Sequence, residues 1–211
     1  MDLSDLSEKL RVQLDAKTAA RERGLADSRS AIRACGNAIR AMHRLEFEPA
    51  KALLDDAQRH VDGARTALQA YPDMLHAGFV HDAEKELAEA RITHALVTQN
   101  GFPHPEEIGV PATAYLKGMA EAVGEMRRHI LDLMRNGELE RCEEVLASVD
   151  EIYTVLVSMD YPDGITMGLR RLTDVARSII ERTRGDYTTS KIQSDLRRAL
   201  DEHSGTLEQR G

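Results

Sequence analysis

Proline is confined to a few points of this 211-residue chain: positions 49, 72, 103, 105, 111 and 162. Three of the six crowd into GFPHPEEIGVP, residues 101–111. Proline removes a backbone donor and breaks a helix interior, so the long stretches between these points are free to be helical. The composition agrees. Ala, Leu, Glu and Arg dominate, and Phe, Tyr and Trp together make up 4 %. That balance favours helices over sheets.

Apolar spacing places seven helices. The first covers about 3–45, with Leu25, Ile32, Cys35, Ile39 and Met42 in a heptad-like series. The second opens at EFEP, with Pro49 in its first turn, and presents Leu53, Leu54, Ala57, Val61, Ala64 and Leu68. Tyr71-Pro72 bends the chain. The third runs over about 74–100 and stops at Asn100-Gly101. The segment 101–111 is expected to be a helix-free crossover. The fourth (about 112–135), fifth (138–159) and sixth (165–184) follow, with a strong turn at Tyr161-Pro162-Asp163-Gly164 and a weaker seventh helix over about 189–202. The expected fold is all-α: a seven-helix antiparallel bundle with long first and third helices. It fills residues 1–204 as one domain, with a disordered tail at 205–211. Helices longer than a compact core needs are expected to support a homo-oligomer.

The formal net charge of −8 argues against a protein that coats duplex DNA non-specifically. The charge is uneven: residues 1–70 carry a net +1 and the remainder −9. Arg29, Arg33, Arg40 and Arg44 form one stripe on the first helix. Such a stripe is either a solvated flank or a row of guanidinium groups for a phosphate backbone. No stretch is apolar enough to span a membrane, and the acidic, amphipathic start is not expected to act as a signal peptide. Cys35 and Cys142 sit alone in helical patterns, as in a reducing compartment, so a cytoplasmic location is expected.

The sequence has no phosphate-binding glycine loop, dinucleotide fingerprint, H-E-x-x-H or nucleophile elbow. Its one concentrated chemistry is acidic. On the third helix Asp82, Glu86, Glu89 and Thr93 fall within about 60° of one another at 100° per residue. Glu125 and Asp150 stand on the fourth and fifth helices. Hard cations such as Mg²⁺ or Mn²⁺ take oxygen ligands, and two or three carboxylates facing a cleft could hold one against a phosphodiester. The same carboxylates could equally be paired with Arg across the bundle.

Several stretches together resemble the translin/TRAX family. The first helix, RSAIRACGNAIRAMHRLEF, is similar to the family's start, and Gly124-Glu125-Met126-Arg127-Arg128 resembles its fourth-helix signature. VDEIYTVLVSMDYPDGITMGLRRLTDVARSIIE is similar to its fifth and sixth helices. The likeness spans about 17–187. It implies an oligomer, an octamer by family resemblance, that encloses single-stranded RNA or single-stranded DNA. TRAX-type subunits are ribonucleases, and here Glu86, Glu89 and Asp150 fall where those subunits carry their acidic residues. By that resemblance these three bind Mg²⁺ or Mn²⁺ and serve catalysis. Glu125 and Asp82 are weaker metal-ligand candidates, and the four arginines hold the strand. The expected function is a metal-dependent endoribonuclease. The alternatives are a non-catalytic single-stranded RNA- or DNA-binding oligomer and a purely structural helical oligomer.

Overall fold

The computed structural model describes residues 3–208, with side chains through Gly205. In chain order the elements are α1 (Leu3–His43), α2 (Phe47–Leu68), α3 (Pro72–Leu75), α4 (Gly78–Thr98), α5 (Pro105–Ile108), α6 (Ala112–Asn136), α7 (Leu139–Ser158), α8 (Asp163–Thr166) and α9 (Leu169–Glu208). The all-α class is as expected. Three of the nine elements found among the described residues are single turns, so six long helices form the structure. The chain gathers into two compact units, Met1–Ala122 and Val123–Gly211, divided inside α6.

In the first unit α1 packs on α2 and α4. Asp27 of α1 meets His60 of α2 at 2.9 Å, while Gly24 lies against Leu68, so the two helices run antiparallel. Arg65 of α2 meets Glu84 of α4, and Asp55 meets Arg91, which makes α2 and α4 antiparallel too. The buried face of α1 is mostly small: Gly24, Ser28, Ala31, Ala34, Cys35, Ala38 and Ala41. Small side chains let the helix axes approach and leave little room for larger ones between them. Leu25 and Ile32, expected at the centre of that face, are therefore only half-buried at its flank. The N-terminal part of α1 exposes Leu3, Leu6, Leu10 and Leu14.

The segment 101–111 does contain a helical turn, contrary to expectation. Pro105 occupies its first position, where a missing N–H is harmless, and the His104 N–H donates to Glu107 at 2.9 Å. Gly109, at φ +71°, ends it in the left-handed conformation. Ile108 and Val110 are buried, and the Tyr115 hydroxyl donates to the Pro103 carbonyl at 2.7 Å, so the crossover is anchored.

In the second unit α7 packs on α9. The expected sixth and seventh helices are one continuous helix of 40 residues. Tyr187 explains the continuity: it is buried where the pattern weakens, and its hydroxyl donates to Glu143 of α7 at 3.0 Å. Residues 205–208 continue that helix, where the sequence anticipates a tail. Residues 209–211 lie outside the described residues. Among the described residues no helix is long and apolar enough to cross a membrane.

Candidate metal centre

The centre begins with a glycine. A Cβ on Gly118 of α6 would stand 2.6 Å from the Lys85 carbonyl oxygen, 2.7 Å from the Glu89 nitrogen and 2.8 Å from the Ala88 Cβ of α4. Two backbones in such contact leave space for hydrogen alone, so the helices cross here because residue 118 is Gly. One turn further along α6 the same closeness brings in Glu121. One carboxylate oxygen each from Glu86, Glu89 and Glu121 lie within 4.8 Å of one another.

Lys85 answers this negative charge. Its ammonium donates to Glu121 Oε2 at 2.5 Å and lies 3.0 Å from Glu86 Oε1. Burial works against its charge, but the hydrogen bonds to Glu121 and Glu86 outweigh that and hold its pKa above the usual lysine range. Cys35 of α1 registers the same field. Burial first, then the charges of Glu86 and Glu89, push its thiol up to about 12.

The donor set suits a hard cation. Oxygens about 2.1 Å from one octahedral Mg²⁺ stand about 3.0 Å apart when adjacent and about 4.2 Å when opposite, so the three carboxylates would have to draw together to hold one. Thr93, one turn beyond Glu89 on the same helix face, is fully buried and its hydroxyl has no hydrogen-bond partner. A buried hydroxyl left unpaired is costly.

The other expected residues are distributed differently. Asp82 is exposed and stands outside the cluster. Glu125 is half-buried on α6. Asp150 of α7 belongs to the second unit, where its two carboxylate oxygens accept from Arg184 of α9 at 2.6 and 2.7 Å. Arg29, Arg33 and Arg40 are exposed along one side of α1, and Arg44, also exposed, directly follows its last residue. Arg33 donates to Ser30 and Arg40 to Asn37, both neutral, whereas Arg44 is held by Glu46 through two hydrogen bonds. His94 is half-buried, and its pKa is lowered by burial and then by Arg91.

Sequence periodicity missed Lys85 and Glu121. A signal was present: Gly118 interrupts a strong helical pattern, and such a glycine marks a close backbone approach. The charged residue one turn away is then a candidate partner for whatever is approached.

No family model matches the sequence. An uncharacterised protein of Methanocaldococcus jannaschii is 28 % identical over 186 residues, which covers 87 % of this chain and 82 % of that protein. AfC3PO matches with a TM-score of 0.82 and 32 % identity, covering 88 % of this chain and 97 % of AfC3PO. Its complex with duplex RNA gives 0.81 at 32 % identity, covering 88 % and 96 %. Apo-NeC3PO shares the fold, with a TM-score of 0.73 at 20 % identity over 90 % of this chain and 97 % of that one. At 32 % identity over 88 % of this chain and 97 % of AfC3PO, the chain belongs to the C3PO, or translin/TRAX, family.

Proposed function

We propose that this protein is a TRAX-like, catalytic-type subunit: a metal-dependent endoribonuclease that binds RNA within a homo-oligomer. The observation that carries this is the convergence of Glu86, Glu89 and Glu121 on one point, with their oxygens within 4.8 Å. These three carboxylates would hold Mg²⁺ or Mn²⁺. When bound, the ion supplies charge neutralisation at a phosphodiester and a more acidic water. The chain supplies the rest. Glu86 and Glu89 share one face of α4, Gly118 fixes the distance to Glu121, and Arg33 and Arg40 offer exposed guanidinium groups to a phosphate backbone.

AfC3PO, the relative solved with duplex RNA, supports RNA as the ligand. Exposed Leu3, Leu6, Leu10 and Leu14 on α1, with Ile192, Leu196 and Leu200 on α9, support self-association. An octamer is the assembly that the family resemblance implies. Two buried, unpaired cysteines suit a cytoplasmic setting. Asp150 keeps its catalytic role by resemblance and is tested separately. Its pair with Arg184 is half-exposed, hence cheap to break.

A specific observation favours a second reading, a non-catalytic RNA-binding oligomer: Lys85 and Arg184 already neutralise carboxylates assigned to metal. One assay separates the two. Labelled single-stranded and duplex forms of one RNA are incubated with Mg²⁺ or with EDTA. Cleavage of the single strand only with Mg²⁺ is expected, reduced at least about 100-fold in Glu89→Ala with RNA binding retained. Asp150→Asn is expected to behave likewise. Full activity in Glu89→Ala sinks the assignment, and a gel shift without cleavage in either buffer establishes the second reading.

A further inference from the structure

We propose that Lys85 is the resident counter-ion of the Glu86–Glu89–Glu121 cluster, an ammonium that a divalent cation must displace in order to bind. The proposal rests on the metal assignment above and adds its control. Two of the three prospective ligands, Glu86 and Glu121, are the groups that grip Lys85. Its side chain is 15 % exposed, so little water screens it from the cluster.

Two cations crowded against the same carboxylates in a poorly screened site repel each other strongly. A divalent ion therefore enters as the ammonium leaves, and the flexible four-carbon stem of lysine permits that exit. The metal-free protein keeps its acidic cluster folded because Lys85 offsets one of its three charges. The same offset lowers the affinity for metal. Lys85 is thus a positioning residue that acts through Glu86 and Glu121, and it sets the cation concentration at which the site fills.

The test is calorimetric titration of Mn²⁺ into the full-length protein and its Lys85→Met, Lys85→Gln and Lys85→Arg variants, each checked for helicity by circular dichroism. Lys85→Gln keeps a hydrogen-bond donor for Glu121 and decides the matter if Lys85→Met does not fold. The two neutral variants are expected to bind Mn²⁺ at least about tenfold more tightly than the parent, and Lys85→Arg to stay near it. The neutral variants should also melt lower than the parent without metal and be raised further by saturating Mn²⁺, because a tighter ligand stabilises more. Parent binding with unchanged or weaker affinity in the folded neutral variants overturns the role of Lys85 and spares the metal assignment. Binding by the neutral variants but not by the parent supports displacement in its strongest form. Failure of all of them to bind overturns both.

Discussion

Gly118 of α6 is packed so closely on α4 that a methyl group there would meet the Lys85 carbonyl oxygen at 2.6 Å. Gly118→Ala must push the two helices apart. Overpacking costs about 1–3 kcal/mol, partly offset by about 1 kcal/mol of better helix propensity. Chemical denaturation should show a net loss of up to about 2 kcal/mol, and Mn²⁺ affinity should fall because Glu121 recedes from Glu86 and Glu89. Gly124→Ala is the control. A Cβ there meets nothing within 4 Å, so stability should rise by up to about 1 kcal/mol.

Arg65 and Glu84 form the most enclosed ion pair between α2 and α4. Arg65 Nε and Nη2 both donate to Glu84 Oε1, at 2.9 and 2.6 Å, and Glu84 is 6 % exposed. Arg65→Met strands a buried carboxylate and should cost about 3 kcal/mol in a denaturation experiment. Adding Glu84→Leu to that variant should restore most of the loss, because the desolvated charge is gone.

Arg33 and Arg40 should contribute to RNA affinity through phosphate contacts. Their double substitution by Ala is expected to weaken binding and to lower the slope of log affinity against log salt by about 2, one per lost contact. Arg44→Ala should change the slope less, because Glu46 already neutralises Arg44. Filter binding from low to moderate salt measures both.

Acidification should weaken the fold through two histidines of α4. Burial, then Lys117, lowers the pKa of His81, and burial, then Arg91, lowers that of His94. With folded-state values below the ordinary 6.5, the unfolded chain binds more protons between the two values. Stability from these groups is fully present above pH 6.5 and is lost as pH falls through the folded pKa. His81 is also charged at a cost in hydrogen bonding, since its Nε2 is buried without a partner. Thermal melts across pH 7 to 5 should fall, and His81→Gln should flatten that fall.

Much of the architecture was legible in the sequence because amphipathic helices are written locally. The faces of α2, α6 and α7 follow directly from their apolar spacing, and the acidic face of α4 shows at the same period. The errors lie where tertiary contact decides. A helix break expected near residue 185 is absent because Tyr187 is fixed to Glu143. A turn ruled out at 101–111 exists because Pro105 sits at a helix start, where proline does no harm. Leu25 and Ile32 yielded the centre of α1's face to alanines, because closeness between axes rewards small side chains.

By itself the sequence determined the helical class, the crowded carboxylates Glu86 and Glu89, the arginine stripe of α1 and the family likeness. All of these need only residue identity and a 3.6-residue period. The tertiary structure alone decided which charges meet. It brought Glu121 to the acidic face, supplied Lys85 as the cation there, and set Arg184 against Asp150. Helical periodicity fixes the direction in which a side chain points, but the crossing of two helices fixes what it meets. In the first unit that crossing was set by one missing methyl group, at Gly118.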